Sequence, residues 1–315
     1  MRRLIFMLLF VAPPPLKPWI LRVFCGAQIG RNVHIGWFAT LKARRIALGD
    51  GSAIRALTII SCDGELSLGA RAIISSFNLV YGSAGLRLGA HSYIGPQCLI
   101  NCDEDITIGR YSALGARCMV YTHGSFLPYT EGYWVRFGPV TLGDYVWCAA
   151  GVFLNPGVSI GDQVFVNSRS VIAGTVPSGA VMEGNPATQT TSIDKLRRNV
   201  GPRRLDSLAG QMLKHFAEVG LERVQGIKSS VSSSGVDLRY RRNLYRIAIV
   251  PSKGDQPQIP PGTRAVFLNC RSDYTAPAGV PTLDLTTNRA TTHGDPLAHE
   301  LVVFFQRYYG VQLEP

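Results

Sequence analysis

The chain has 315 residues, enough for two domains of ordinary size, and only 17% of them are charged. Its net charge of +11 favours anionic partners, and nucleic acid would fit that sign. The sequence contains no recognition helix, zinc-ligand spacing or RNA-binding signature, which excludes the common nucleic-acid-binding modules. The seven cysteines form no disulfide framework and are expected to be core thiols in a reducing compartment.

The first 25 residues form an apolar segment that has two interpretations. Arg2 and Arg3 precede nine apolar residues, and three prolines follow at positions 13–15. The apolar run is too short to span a bilayer, and prolines directly after it make a poor signal-peptide cleavage site. We expect residues 1–25 either to anchor the protein on a membrane surface or to cap the open end of the structure that follows. Both functions could be combined.

A Leu-Gly or Ile-Gly pair recurs at intervals close to 20 residues through the first two thirds of the chain. The pairs begin at Ile29, Leu48, Leu68, Leu88, Ile108, Leu142 and Ile160. A fixed period of this length is typical of solenoids, in which each repeat buries its apolar side against the next repeat. The sequence therefore predicts a stack of similar coils over roughly residues 26–195.

Within each repeat, apolar residues return every six positions, and a small residue lies four positions after the pair begins. The small residues are Ser52, Ala72, Ser92 and Ser112. This finer period predicts three short parallel strands per coil, arranged as a triangular prism with neighbouring coils about 4.8 Å apart. The repeated glycines suit corners, which need either a positive φ or a close approach of two backbones.

One interval between pairs is 34 residues long, and its additional residues begin directly after Tyr121-Thr122-His123. The insertion, residues 123–139, is rich in aromatic residues. These are Phe126, Tyr129, Tyr133, Trp134 and Phe137. Stacking against sugar rings or packing on a neighbouring subunit would explain them. An aromatic loop that begins at a lone histidine, in an otherwise regular scaffold, predicts an active site.

Histidine suits the role of a general base because its ordinary pKa, about 6.5, lies near the operating pH of most enzymes. If the coils stack in register, Asp103 lies one coil below His123, where its carboxylate could orient the ring or stabilise the imidazolium. Four of the other five histidines are interpreted as structural or surface residues. These are His34, His91, His215 and His299.

The six-residue period stops near residue 203, and residues 203–315 are predicted to form a small α/β domain. Helical spacing runs from Leu205 to Val224, and the serine-rich stretch 229–234 is either a linker or an exposed strand. Three short strands and a closing helix are predicted beyond it, at 245–250, 265–269, 282–285 and 296–309. Acceptor recognition, partner docking and stabilisation of an assembly all remain open as roles for this domain.

Four motifs of the repeat region carry a family resemblance. They are Tyr121-Thr122-His123, residues 138–147, residues 155–162 and Gly184-Asn185-Pro186-Ala187. In this order and spacing they resemble the hexapeptide-repeat acyltransferases, and most closely the maltose and galactoside O-acetyltransferase branch. The resemblance covers about residues 25–195 and implies a left-handed parallel β-helix. The handedness follows from the resemblance alone, because parallel crossovers are generally right-handed.

The resemblance also implies an acyl-CoA donor, with acetyl-CoA expected first, and no metal. In the family a backbone amide three residues after the tryptophan serves as the oxyanion donor, and this position is Ala150. The implied catalytic residues are thus His123, Asp103 and Ala150. Trp147 would line the pantetheine groove, although Ala149 stands where the family usually has glycine. The residues expected to bind coenzyme A are Trp147, Ala149, Ala150, Ser168, Arg169, Lys195 and Arg197. Those expected to bind the acceptor are Asn101, Tyr121, Tyr133, Trp134 and Arg136.

The whole chain is therefore predicted to be mainly β: an N-terminal apolar helical segment (1–25), a left-handed β-helix (26–195) and a small α/β domain (203–315). The resemblance implies a homotrimer with active sites between subunits. The expected function is O-acyl transfer to a sugar hydroxyl of a surface polysaccharide, a lipopolysaccharide or a lipid-linked glycan precursor. The expected location is the cytoplasm, at the inner face of the membrane.

Two alternatives belong to other functional classes. A metal hydratase of the γ-carbonic anhydrase kind shares the β-helix but needs three histidine ligands, and this chain offers only the widely spaced His34, His91 and His123. A non-catalytic β-helix scaffold would have no need of His123, its loop and the motifs on the coenzyme A side together.

Overall fold

The computed structural model describes residues 2–125 and 127–314, so Phe126 of the aromatic loop lies outside the described residues. The chain divides into two compact units, Met1–Arg197 and Arg198–Pro315. The first unit contains the repeats.

The repeats form a prism of three parallel sheets, and each coil contributes one strand to every sheet, except that the last coil has no strand in the third. The strands of the first sheet are Gln28–Ile29, Arg45–Leu48, Glu65–Leu68, Leu86–Leu88, Ile106–Ile108, Val140–Leu142, Ser159–Ile160 and Thr175–Val176. Those of the second are His34–Ile35, Ala53–Ile54, Ile73–Ile74, Tyr93–Ile94, Ala113–Leu114, Trp147–Cys148, Phe165–Val166, Ala180–Gly184 and the antiparallel Ala187–Ser192. Those of the third are Thr40–Lys42, Ile59–Cys62, Leu79–Gly82, Leu99–Asn101, Met119–Tyr121, Phe153–Leu154 and Val171–Ile172. The predicted parallel β-helix is confirmed.

The six-residue period corresponds to the side chains that point into the prism. In the coil that begins at Leu88, the apolar positions Leu88, Ile94, Ile100 and Ile106 are all buried. The small residues predicted to point inward are buried as well, namely Ser52, Ala72, Ser92 and Ser112. One apolar core therefore runs through the stacked coils.

The glycines of the repeated pairs are required by close approach of backbones and not by a positive φ. A β-carbon on Gly89 would lie 2.6 Å from the Arg110 nitrogen and 2.7 Å from the Gly109 carbonyl carbon of the next coil. Positive φ angles occur instead at other corner residues, such as Gln97 (61°) and Arg117 (58°). Of the two reasons that the sequence allowed, close approach is the one that applies.

Replacing Gly89 with alanine is expected to destabilise the repeat unit by about 1–3 kcal/mol, because the added β-carbon meets backbone atoms that cannot rotate away. Gly210 is a matched control: it lies in a helix with nothing within 4 Å of its missing β-carbon. Gly210→Ala is expected to stabilise its own unit by about 0.5–1 kcal/mol. Urea unfolding followed by circular dichroism measures both changes, and equal midpoints for Gly89→Ala and the unmodified protein would contradict the packing argument.

Two helices, α1 (Arg2–Val11) and α2 (Lys17–Cys25), close the N-terminal end of the prism, with a 3₁₀ turn at Pro14–Leu16 between them. One side of each helix belongs to the apolar core of the β-helix. The side chains on those sides are Ile5, Leu9, Ile20 and Leu21, and Ala12, directly after α1, packs with them. The capping interpretation of the N-terminal segment is therefore correct.

Lys17 fastens α2 to the first coil. Its side chain is fully buried, and its Nζ donates hydrogen bonds to the carbonyl oxygens of Gly36 (2.8 Å) and Ala39 (2.7 Å). Burial lowers the pKa of Lys17 to about 8. The Thr40 hydroxyl donates to the Phe6 carbonyl (2.6 Å) and holds α1 in the same way.

Residues 123–125 and 127–139 form a two-stranded arm where the sequence suggested only a loop. The strands His123–Ser125 and Val135–Phe137 are antiparallel, and a 3₁₀ turn at Tyr129–Glu131 lies between them. At its base the Gly157 amide donates to the Gly138 carbonyl (3.1 Å), which ties the arm to the next coil.

The second unit contains a mixed six-stranded sheet and its own apolar core. After the short α3 (Ile193–Leu196) of the first unit come α4 (Pro202–His215), a π-helical continuation (Phe216–Arg223) and the final helix α5 (Pro296–Tyr309). The strands are Ser229–Ser232, Gly235–Tyr240, Asn243–Val250, Arg264–Asn269, Thr282–Asp284 and Arg289–Thr291. Asn243–Val250, Arg264–Asn269 and Thr282–Asp284 are mutually parallel, and the other pairings are antiparallel.

Candidate active site

His123 stands where the regular coil ends and the arm begins. It pairs with Phe137 across the arm, and the two rings stack with their centroids 4.4 Å apart. The stacking fixes the plane of the imidazole. About a third of the His123 side chain (34%) remains exposed, so a substrate can reach it.

Asp103 lies beside His123, as the stacking of coils predicts. Asp103 Oδ2 is 3.9 Å from His123 Nδ1, which is longer than a hydrogen bond but within the range of an ion pair with a protonated ring. The Asn101 amide donates to Asp103 Oδ2 (2.9 Å), and the Ser83 backbone amide donates to Oδ1 (3.2 Å). The carboxylate is therefore held in place next to the ring.

The backbone on either side of His123 is also fixed. The buried Thr122 hydroxyl donates to the Asn101 carbonyl (3.1 Å) and accepts from the Glu104 amide (3.0 Å). The Gly138 amide donates to the Thr122 carbonyl (3.0 Å). These bonds connect the start of the arm to the coil below, so His123 has little freedom to move.

Asn101 and Tyr121, two of the residues predicted to bind an acceptor, lie on the third sheet beneath this site. Tyr81, Asn101 and Tyr121 are in register on successive strands. Asn101 is buried and uses its amide for Asp103, whereas Tyr121 stacks on Phe153 with centroids 5.6 Å apart. Burial, together with neighbouring Tyr121, raises the pKa of the Tyr81 hydroxyl. Sequence analysis missed Tyr81, although its position 20 residues before Asn101 is a usable signal.

The other predicted acceptor residues, Tyr133, Trp134 and Arg136, all lie in the arm and are exposed. Trp134 is 61% exposed, which is unusual for so large an apolar ring. The Arg136 guanidinium lies beside Gly157 of the following coil. The arm therefore presents an aromatic surface and a cation next to His123.

The residues predicted to bind coenzyme A lie elsewhere, on the second sheet and at its edges. Trp147 points outward, half exposed, in register between Ala113 and Phe165. Ala149 and Ala150 follow at the corner between the second and third sheets. The Ala150 carbonyl accepts from the Arg169 amide (2.9 Å), and its own N–H has no hydrogen-bond partner in the part of the chain that the structure describes. That N–H is available as a donor.

The remaining coenzyme A candidates continue along the same edge. Ser168 and Arg169 occupy the corresponding corner one coil further on, and both are exposed. Lys195 and Arg197 lie in and directly after α3, which follows the last strand of the second sheet, and both are exposed. None of these cations is buried, so each can reach a phosphate.

The two groups of residues lie at opposite ends of the third sheet. His123 follows the strand Met119–Tyr121, whereas Ala150 precedes the parallel neighbouring strand Phe153–Leu154. The length of a strand with its turns separates them, on the order of 15 Å. One chain therefore brings His123 and Asp103 together but does not bring Ala150 to them.

No group of three His, Cys, Asp or Glu side chains placed to hold a metal ion occurs within residues 2–125 and 127–314.

Comparison with known proteins gives several relatives, whereas no family model matches the chain. WcaF of Escherichia coli, provisionally described as a colanic acid biosynthesis acetyltransferase, is 32% identical over 176 residues, which cover 54% of this chain and 71% of WcaF. Galactoside O-acetyltransferase of Escherichia coli is 38% identical over 48 residues, or 15% of this chain and 24% of that enzyme. A hexapeptide-repeat acetyltransferase of Vibrio cholerae, crystallised with acetyl-CoA, is 19% identical with a TM-score of 0.38 over 61% of this chain and 84% of that one.

The similarity to WcaF extends over more than two thirds of that relative. Both relatives are described as acetyltransferases, which leaves the metal-hydratase alternative without support. Together with the parallel coils and their six-residue period, the similarity shows that the chain belongs to the hexapeptide-repeat acetyltransferases, the family of the left-handed parallel β-helix.

Proposed function

We propose that the protein transfers an acetyl group from acetyl-CoA to a sugar hydroxyl of a surface polysaccharide, a lipopolysaccharide or a lipid-linked glycan precursor. The observation that carries the proposal is the pairing of a fixed, accessible His123 with Asp103 at the base of an aromatic arm. The names of two relatives support a sugar acceptor: one is assigned to colanic acid biosynthesis, and the other is a galactoside O-acetyltransferase.

In this proposal His123 removes the proton from the sugar hydroxyl as its oxygen attacks the thioester carbonyl. Asp103, 3.9 Å away, stabilises the imidazolium that results. The Ala150 N–H donates to the carbonyl oxygen as that oxygen becomes negative. The C–S bond then breaks, and His123 returns its proton to the departing thiolate.

The second sheet has the features that a coenzyme A site needs. Trp147 offers an apolar wall for the pantetheine arm, and the small Ala149 and Ala150 leave room beside it. The cations Arg169, Lys195 and Arg197 are exposed and suit phosphate groups. This placement supports an acetyl-CoA molecule that lies along the edge of the prism, from the coil that contains Trp147 towards α3.

We also propose a homotrimer, because one chain leaves its catalytic base and its oxyanion donor at opposite ends of a sheet. A neighbouring copy would supply its own Ala150 to His123. The third sheet carries a column of outward-facing apolar residues that an interface would cover: Ile59, Leu79, Leu99 and Met119. Three of these side chains are more than a third exposed in the single chain.

Coexpression of two inactive variants tests the shared site. His123→Ala lacks the base, and Ala150→Pro lacks the backbone N–H. If each site takes one residue from each of two chains, random trimers of the two variants recover about a quarter of the unmodified activity. Tandem purification of differently tagged chains isolates the mixed trimers, in which one of the three sites is intact, so that about a third of the unmodified activity is expected in this fraction. No recovery in mixed trimers would mean that each site lies within one chain.

A cytoplasmic location at the inner face of the membrane is part of the same proposal, with residues 1–25 facing the lipid. Coenzyme A thioesters are cytoplasmic substrates, and lipid-linked glycan precursors are assembled at that surface. Within the described residues no helix combines the length and the apolar character needed to cross a bilayer.

Calorimetric titration with acetyl-CoA tests the donor without knowledge of the acceptor. We expect saturable binding close to one site per chain, weakened by Arg169→Ala because a phosphate partner is lost. Absence of binding at high micromolar donor would overturn the proposed function.

A further inference from the structure

The first helix is apolar on two opposite sides. Ile5 and Leu9 pack into the core of the β-helix, whereas Leu4, Met7 and Val11 are 71%, 65% and 62% exposed. Together with Leu8, the exposed residues have the i, i+3, i+4, i+7 spacing of a single helix face. Capping the prism uses one side of α1 and leaves the other, equally apolar side uncovered.

The second helix shows the same division. Lys17, Ile20 and Leu21 hold it to the first coil, while Trp19, Val23 and Phe24 are more than half exposed. The exposed aromatic rings touch one another in pairs, Trp19 with Phe24, Phe10 with Phe38 and Phe38 with Trp37. We call the exposed apolar residues of both helices and the adjoining loop the cap surface: Leu4, Met7, Leu8, Phe10, Val11, Leu16, Trp19, Val23, Phe24, Trp37 and Phe38.

Single exposed apolar residues are ordinary on soluble proteins, but eleven of them on two helices and the loop beside them mark an interaction surface. The charged residues of the N-terminal region indicate which kind of partner this surface fits. The first 49 residues contain eight Lys or Arg and no Asp or Glu, and the first acidic residue is Asp50. Of these cations, Lys17 is buried, and Arg31 and Lys42 form ion pairs with Asp50 and Asp63. Arg44 and Arg45 are exposed, and in the described part of the chain their guanidinium groups have no hydrogen-bond or ion-pair partner.

The combination of apolar side chains and unopposed cations fits an anionic lipid surface. Helix α1 has ten residues and is about 15 Å long, half the thickness of the hydrocarbon core of a bilayer. Its inner side is also committed to the protein core. The helices can therefore lie in the interface of one leaflet but cannot cross the bilayer.

We propose that the cap surface docks the protein on an anionic membrane leaflet, so that α1 and α2 both close the β-helix and insert apolar side chains among the lipids. The inference rests on the membrane location proposed above and is independent of acetyl transfer. The apolar residues supply insertion, and the excess of cations selects leaflets that carry anionic headgroups.

Tryptophan quenching by brominated lipids tests this directly. The chain has four tryptophans, so Trp134→Phe with Trp147→Phe leaves only Trp19 and Trp37, both on the cap surface. We expect brominated phosphatidylcholine vesicles containing phosphatidylglycerol to quench this protein strongly, and the binding to weaken with salt. Vesicles of phosphatidylcholine alone should bind at least tenfold more weakly.

The Met7→Glu, Val11→Glu double variant is expected to lose at least tenfold in vesicle affinity. Val224→Glu with Val231→Glu, at residues exposed by 71% and 45% in the second unit, is the matched control and should bind as the unmodified protein does. Unchanged circular dichroism and thermal unfolding show that the variants are folded, so this test does not depend on acetyl-CoA binding, which tests the proposed function. Undiminished vesicle binding by the double variant, or a change in oligomer size in place of lipid binding, would overturn the proposal.

Discussion

Replacing His123 with alanine is expected to lower the rate of acetyl transfer by about 10²–10⁴-fold, because the sugar hydroxyl then loses the group that removes its proton. Affinity for acetyl-CoA should remain nearly unchanged, since the candidate donor residues lie on the second sheet and at the far end of the third. Steady-state kinetics with a sugar acceptor, together with calorimetry of donor binding, measures the two quantities separately.

His299→Ala is a suitable control for this variant. His299 is exposed in α5 of the second unit, where alanine is a good helix former. It should leave both transfer and donor binding unchanged. Full activity in His123→Ala would assign the base to another residue, and loss of donor binding would show that the substitution disturbs the coil and not only the chemistry.

The neighbourhood of His123 and Asp103 could be predicted from sequence because a solenoid converts sequence spacing into distance. Twenty residues make one coil, and backbone contacts between glycines of adjacent coils prevent the register from slipping. Asp103 is 20 residues before His123, and the two side chains do lie side by side. The same rule would have identified Tyr81 as the partner of Asn101 and Tyr121.

The separation of Ala150 from His123 is also encoded in the sequence. His123 comes 15 residues after Ile108, whereas Ala150 comes 8 residues after Leu142, and different offsets in a coil mean different corners. A motif shared with a family records which residues act together, but it does not record whether they act within one chain. To make that distinction, one must know at which corner of the prism each residue lies.

The arm could not be predicted, because its strands are too short and irregular to show a period. His123–Ser125 and Val135–Phe137 have three residues each and pair only because the coil holds both ends together. In the second unit the strands Gly235–Tyr240 and Arg289–Thr291 were missed for a related reason. Both carry charged residues, and they are ordered by pairing with the more apolar strands beside them.

Replacing Ala150 with proline is expected to lower transfer by about 10²–10³-fold, the loss typical of removing one oxyanion donor. Proline removes the N–H and changes little else, because this corner already accepts proline elsewhere in the chain. Pro96 occupies the corresponding position two coils earlier. The Arg117 amide donates to the Pro96 carbonyl, and the Gly151 amide donates to the Ala116 carbonyl. These bonds between successive coils place positions 96, 116 and 150 in one column.

Ala116→Pro is the matched control, because it makes the same change at the same corner one coil below the proposed site. Both variants should have the unfolding temperature of the unmodified protein. In the described part of the chain the backbone N–H groups of residues 116 and 150 have no hydrogen-bond partner, so their removal breaks no hydrogen bond. Only Ala150→Pro should lose transfer, through kcat more than through the affinity for acetyl-CoA. Equal kinetics for the two variants would exclude the Ala150 amide as the oxyanion donor, whereas loss of activity in both would point to a distorted corner.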